Sequence, residues 1–232
     1  MSISAFPAGP LAANCYIVTV AAAAEHRAEC VIVDPGQDAA AEIASRVAEE
    51  GLVPAAVLLT HGHFDHVWSA TEVARAHGVP VYVHGADRPL LSDPAKGLDP
   101  GLAAQLSALL GQAALEEPDD LRELAGGEAL EVAGLRFSVE HVPGHTPGSV
   151  CYALAPGADD GEAVLFTGDL LFAGSIGRTD FPGGDHAEIM RSLERICRDW
   201  PDDTAVLPGH GPRTTIARER ATNPFLGDIP GR

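Results

Sequence analysis

Along the chain, short runs of apolar and β-branched residues alternate with longer stretches in which apolar positions recur every three or four residues. Eight runs read as strands: NCYIVTV, CVIVD, AAVLLT, PVYVH, LRFSVEHV, SVCYAL, AVLFTGD and TAVLPGH, each bounded by Gly, Pro, Asp or Asn. Helical patterns lie between them. Over 38–50, Ile43 and Val47 stand one turn apart; over 66–77, Val67, Ala70, Val73 and Ala74 share a face; over 185–199, Ile189, Leu193 and Ile196 do the same. Asp38 and Asp185 stand where helix N-caps are expected. The order is β-rich, then mixed, then β-rich, then mixed again. That predicts an α/β fold of two similar halves, with two sheets packed face to face and helices outside. Residues 86–126 break the rhythm with Pro, Gly and the segment GLAAQLSALLGQAALEE, and read as a helical insertion. AAAAE near residue 21 reads as a hairpin tip, and 211–232 as a short polar C-terminal tail. A two-sheet fold of 232 residues is expected to form a single domain over 1–232.

Composition narrows the partners. A hydrophobic content of 46% supports a sizeable core and argues against wholesale disorder. The formal charge of −18 disfavours nucleic acid, whose phosphates call for Lys and Arg. An anionic substrate would have to be drawn in by local cations or metal. The cysteines Cys15, Cys30, Cys151 and Cys197 are widely spaced with no CxxC pair, so they read as small buried hydrophobes suited to a reducing compartment. No run approaches the ~18 apolar residues of a membrane helix, and MSISAFPAGPLAANCYIV lacks the basic region and apolar core of a signal peptide. The expectation is a soluble, cytoplasmic protein with no membrane partner.

The chemistry sits where strands end. VIV runs into Asp34, VLLT into HGHFDH, VEHVPG into His145, VLFTG into Asp169, and AVLPG into His210. Rigid strands that deliver ionisable residues into loops are where active sites gather. His61 and His63 are two apart, so in an extended segment both point to one side. Asp65 and His66 follow where a helix begins and are angled differently, so they suit a second centre. Together with His145, Asp169 and His210 they make seven N/O donors, enough for two first-row metals sharing one carboxylate. Imidazole and carboxylate without thiolate suit catalytic Zn, with Fe or Mn as alternatives, rather than a closed structural zinc site. His26, His77, His84, His141 and His186 read as surface or hydrogen-bonded residues, although His84 also ends a strand.

Taken in order, THGHFDH, PGHTPGS, FTGDLLF and LPGHG resemble the signature motifs of metallo-β-lactamase-fold hydrolases, over about Asn14 to Leu226. The resemblance implies a four-layer αββα sandwich with a dinuclear metal site between the sheet edges. It implies that His61, His63 and His145 hold one metal, that Asp65, His66 and His210 hold the other, and that Asp169 bridges them. Asp34, in VIVDPG, matches an aspartate that supports the ligands from behind. The segments GSIGRTDFPGGD and GHGPRTTIARERATNPFL are similar to the short, single-domain branch of the glyoxalase II (hydroxyacylglutathione hydrolase) family. Larger members carry an extra C-terminal helical domain with cations that grip glutathione, and the expectation from 211–232 is that this branch lacks it. Arg178 falls where the family places a cationic contact to the thiol carrier. Its alternative role is loop stabilisation through backbone or Asp180.

The resemblance implies a small-molecule thioester substrate, such as S-lactoylglutathione or a related thiol conjugate. The nucleophile would be a water whose pKa two cations depress, oriented by Asp65. A leaving thiolate of solution pKa about 8.5 needs no dedicated acid. Three alternatives share the fold. A persulfide dioxygenase resembles this chain at GRTDF, but that family uses a mononuclear iron, and GHGPRTT favours the hydrolase. A β-lactamase fits poorly with the missing secretion signal. An inactive metal-binding scaffold fits poorly with a full set of donors.

Overall fold

The computed structural model describes residues 1–20, 27–110, 116–156 and 162–227. Two six-stranded sheets lie face to face. The first contains β1 (Ser2–Ala8), β2 (Ala13–Thr19), β3 (Glu29–Val33), β4 (Val53–Leu58), β5 (Val81–His84) and β6 (Leu121–Leu124), in that spatial order. β1 to β3 are antiparallel, and β3 to β6 run parallel. The parallel strands need crossovers. These are α1 (Ala39–Glu49), then α2 (Phe64–Val67) with α3 (Ala70–His77), then a segment holding α4 (Arg88–Ser92), a 3₁₀ turn at Pro94–Gly97 and α5 (Pro100–Leu110).

The second sheet holds β7 (Ala129–Val132), β8 (Leu135–His141), β9 (Val150–Leu154) and β10 (Val164–Gly168), which pair antiparallel with one another in that order. After a two-stranded hairpin of β11 (Leu171–Phe172) and β12 (Ser175–Ile176), helix α6 (His186–Asp199) carries the chain to β13 (Ala205–Pro208), which lies parallel to β10. β14 (Thr214–Thr215) closes that edge, and α7 (Ile216–Thr222) packs outside it.

Three apolar layers hold the four together. Between the sheets, Tyr16, Val31, Val33 and Leu58 meet Phe137, Val139, Tyr152 and Phe166. Outside the first sheet, Ile43 and Val47 of α1 and Val73 and Ala74 of α3 cover Ile17, Ile32 and Val57. Outside the second, Ile189, Leu193 and Ile196 of α6 cover Cys151, Leu165 and Val206. β8 shows the pleat directly, with Leu135, Phe137 and Val139 buried and Arg136 and Ser138 exposed. The architecture is the expected four-layer αββα sandwich. All four cysteines are buried with free thiols, as their apolar contexts predict. Among the described residues no helix is long and apolar enough to cross a membrane.

Several details differ from the sequence reading. The two halves are less alike than expected, since the first sheet is mostly parallel and the second mostly antiparallel. The region 86–126 is not wholly a helical insertion, because Leu121–Leu124 returns as the edge strand β6. The helix expected over 66–77 starts at Phe64 and breaks after Val67. Ser69 occupies the break, and its hydroxyl donates to the Gly36 carbonyl while accepting from the Ala39 amide. That amide belongs to the first turn of α1, so Ser69 does the capping expected of Asp38. Asp38 stands at the N-cap position in a left-handed conformation and makes no side-chain capping bond. Asp185 does cap α6, accepting from the Glu188 amide. The hairpin tip near residue 21, His26 and the last residues of the tail lie outside the described residues.

Candidate metal centre

The apolar strands end together at one rim of the sandwich, and the predicted residues meet there. The chain leaves β4 through Thr60, His61 and Gly62, and α2 then opens with Phe64, placing Asp65 and His66 in its first turn. From the second sheet come His145 in the β8–β9 loop, Asp169 directly after β10, and His210 after β13. Two groups of donors result. His61, His63 and His145 have ligand atoms within 4.8 Å of one another, and so do Asp65, His66 and His210. Asp169 lies between the groups, with Oδ1 3.4 Å from His66 Nε2 and Oδ2 3.5 Å from His145 Nε2. Its Oδ2 is 3.7 Å from His210 Nε2, and Asp65 Oδ2 is 3.2 Å from the same nitrogen. Gly209 permits this closeness, because a Cβ there would stand 2.2 Å from Asp169 Oδ1 and 2.8 Å from His66 Cε1.

The rings are held from behind. His66 Nδ1 lies 3.0 Å from Asp34 Oδ2, and His145 Nδ1 donates to the Arg178 carbonyl at 2.8 Å. His61 Nδ1 is 3.0 Å from the Thr60 hydroxyl. In each case Nδ1 is engaged, which leaves the Nε2 lone pair for the site. Asp34 is itself fixed, since it accepts from the Thr60 amide at 2.7 Å and the Thr60 hydroxyl at 2.6 Å. It is buried, and its left-handed backbone (φ 50°) turns the chain sharply out of β3. Asp34 therefore stands where a support for the ligands should, one bond removed from His66. A third grouping of Asp34, His61 and His66 also falls within 4.8 Å, but both Asp34 oxygens are already occupied by Thr60 and His66.

Two observations show that this donor set fits metal ions. First, His61 Nε2 and Asp169 Oδ1 are buried with no hydrogen-bond partner among the described residues, and beside them His63 Nδ1 faces His145 Nε2 at 2.8 Å. Buried polar atoms rarely go unpaired, and orphans clustered at one place indicate an ion. Second, the carboxylates demand positive charge. Burial pulls the His66 pKa down, but Asp65, Asp169 and Asp34 outweigh it and raise it to about 10. Asp65 runs the other way: burial pushes its pKa up, yet His66 and His210 hold it well below the usual carboxylate range. His63 is lowered to about 3 by burial and by His145, so its lone pair is available. A divalent cation satisfies both the carboxylates and the imidazole nitrogens.

Residues that the sequence reading passed over fasten the loops. Asp87 is fully buried and accepts from the Gly62 amide (2.8 Å), the Thr146 hydroxyl (2.6 Å) and the Gly148 amide (2.7 Å). It thus ties the loop that carries His61 and His63 to the loop that carries His145. Its sequence signal is the place of Asp87 just beyond the strand VYVH, where His84 is the nearer ionisable residue. On the other flank, the Asn14 amide side chain donates to the carbonyls of Pro208 and Gly211 at 2.9 and 2.8 Å, bracketing His210. The Tyr16 hydroxyl also donates to Pro208 (2.6 Å).

Over the donors opens a cavity of about 790 Å³ lined by His63, Asp65, His145, Asp169 and His210 at its floor. Arg178 lines it too, but its guanidinium is committed. It donates to both Asp180 oxygens at 2.7 and 2.8 Å and lies 3.5 Å over the Phe181 ring. His84 and His141 are elsewhere, stacked with ring centroids 4.2 Å apart across the two sheets. His77 ends α3 and His186 begins α6, where the geometry gives them no place in the site.

Comparison with known proteins agrees with this geometry. Residues 8–210 match the Metallo-beta-lactamase superfamily. The hydroxyacylglutathione hydrolase GloC of Haemophilus influenzae is 32% identical over 228 residues, covering 97% of this chain and 98% of that one. The crystal structure of BLEG-1 B3 metallo-beta-lactamase superposes with a TM-score of 0.79 at 38% identity, covering 97% of this chain and 99% of that one. The structure of TTHA1623 in a di-iron-bound form gives 0.73 at 38% identity, with coverages of 94% and 97%. The chain belongs to the metallo-beta-lactamase superfamily.

Proposed function

We propose that the protein hydrolyses thioesters at a dinuclear metal centre, in the manner of a glyoxalase II. The observation that carries this reading is the pair of donor groups flanking Asp169 beneath an open cavity. His61, His63 and His145 would hold one cation, and Asp65, His66 and His210 the other, with Asp169 shared. Zn is the metal proposed, and the di-iron form of a relative supports Fe as an alternative. When bound, such cations supply Lewis acidity and an acidified water.

The chain's own residues supply position and protonation. Asp65, ionised at neutral pH, accepts a hydrogen bond from the attacking water and orients it. Asp34, Thr60 and the Arg178 carbonyl hold the imidazoles so that little reorganisation accompanies reaction. The water oxygen bonds to the acyl carbon, the C–S bond breaks, and the pair of electrons leaves with sulfur. The products are a carboxylate, a thiol and a proton. A thiolate leaves readily at neutral pH, which accounts for a site without a dedicated proton donor.

The test is elemental analysis of the purified protein together with a panel of acyl-thioesters and glutathione persulfide. Two cations per chain with release of free thiol are expected. One iron with oxygen uptake on the persulfide would overturn the hydrolase in favour of the dioxygenase.

A further inference from the structure

The cavity has a wall that the hydrolysis itself does not use. Above the donors stand Leu11, Phe64, Leu102, Phe172, Ile176 and Phe181, drawn from the β1–β2 turn, α2, α5, the β11–β12 hairpin and the loop after it. Two of these are out of place for a solvated surface. Met1, Leu11, Val53, Leu102 and Phe225 are the exposed large hydrophobics among the described residues, and Leu11 (51%) and Leu102 (38%) both flank this one cavity. Large exposed side chains gathered around a concavity mark a surface built to be covered.

The charges point the same way. Among the described lining residues Arg178 is the one Lys or Arg, and Asp180 already neutralises it through a bidentate pair. The helix beside it, α5 (PGLAAQLSALL), contains no charged residue, and the neutral Gln37 and Gln105 complete the polar lining. The chain as a whole carries −18. A carrier with two free carboxylates, such as glutathione, finds no unpaired cationic side chain among the described residues of this wall to replace its hydration, and an unpaired buried charge is disfavoured. An aliphatic or aromatic group finds a ready surface.

We infer that the preferred substrates are thioesters of an uncharged thiol whose acyl group is aliphatic or aromatic, seated on the Leu11–Leu102–Phe181 wall. This rests on the thioester-hydrolase reading and deepens it. S-lactoylglutathione, with its small polar acyl group and anionic carrier, is a poor member of the class.

The experiment uses the full chain with its metals and a matched panel: lactoyl, butyryl and hexanoyl thioesters, each on glutathione and on N-acetylcysteamine. kcat/KM is expected to rise roughly three- to fourfold per added methylene until the wall is filled. At equal acyl group, the N-acetylcysteamine ester is expected to exceed the glutathione ester. Leu102→Asp should lower the hexanoyl-to-lactoyl ratio at least tenfold, and Leu102→Met should preserve it. Asp180→Ala, which frees the Arg178 guanidinium, should shift preference back towards the glutathione esters. Calorimetric binding of S-hexyl-N-acetylcysteamine, a thioether that cannot be hydrolysed, should be tighter than that of S-hexylglutathione. If S-lactoylglutathione is the best substrate, or if Leu102→Asp leaves the acyl ratio unchanged, the inference is overturned while the hydrolase reading stands. Failure to turn over any thioester overturns both.

Discussion

Replacing Asp87 measures how much a single buried carboxylate contributes to the rim. In Asp87→Ala, three donors lose their acceptor: the amides of Gly62 and Gly148 and the Thr146 hydroxyl. The hydroxyl can turn to Ser149 Oγ, which lies 2.7 Å away, so two backbone amides remain unpaired. At about 1–3 kcal/mol for each orphaned buried donor, the variant should lose ~2–6 kcal/mol. Asp87→Asn is the sharper test because it keeps the shape. Gly62 and Thr146 share Oδ2, and Gly148 uses Oδ1. If the amide oxygen takes the Oδ2 place, its NH₂ confronts the Gly148 N–H, donor against donor. The loss is then about 1–3 kcal/mol, with the weaker neutral hydrogen bonds adding to it. Urea unfolding gives the stability, and competition with a chelator gives the metal affinity. Because Asp87 joins the loops of His61, His63 and His145, affinity should fall ~10–100-fold in the Asn variant. An Asn variant within ~0.5 kcal/mol of wild type, with unchanged metal affinity, would refute the reasoning.

Three further outcomes are expected. His61→Ala should empty mainly the position formed with His63 and His145, and His210→Ala mainly the one formed with Asp65 and His66; elemental analysis showing equal losses in both variants would contradict two separable positions. Gly209→Ala should displace Asp169, 2.2 Å from the new methyl, and lower metal content while far-UV circular dichroism stays native; full metal retention would show that the loop yields. His84 has a folded pKa lowered by burial and by the stacked His141, below an unfolded value near 6.5. The unfolded chain therefore binds the proton more readily, so this contribution to stability is complete above about pH 6.5 and is lost as pH falls through the folded value. His84→Gln should lessen the drop in urea midpoint between pH 7.5 and 5.5, and parallel pH responses would dismiss the effect.

What the sequence made legible divides along a physical line. The eight runs read as strands are β2, β3, β4, β5, β8, β9, β10 and β13, which are the interior strands of both sheets. Of the unread strands, β1, β6, β7 and β14 are the four edges of those sheets, and β11 and β12 form the separate two-residue hairpin. Most interior strands, such as β9 and β10, are covered on both faces and are written as apolar runs, while β8 keeps an apolar face by alternation. An edge such as LREL has Arg122 and Glu123 exposed and only Leu124 buried, so it carries no such run. The donors were legible for a related reason: polar side chains directly after apolar runs stand out from their surroundings. The roles of Thr60, Asn14 and Asp87 were not legible, because they depend on groups far along the chain. Asn14 reaches Gly211, and Asp87 reaches Gly148. No local pattern encodes such partners. Arg178 was legible as a residue of the cavity, but its stacking on Phe181 was not.

The division of the donors between the sheets has a consequence for assembly. His61, His63, Asp65 and His66 come from the first sheet's loops, and His145, Asp169 and His210 from the second's. Neither half of the chain holds a complete set, since each donor group takes one member from the other half. Metal occupancy is then a checkpoint on the whole sandwich: a nascent or truncated chain with one sheet formed has ligands but no site. Because binding adds its free energy only to the docked state, a cation that enters late would lock the two sheets at their rim, and its release would be the first step by which they part.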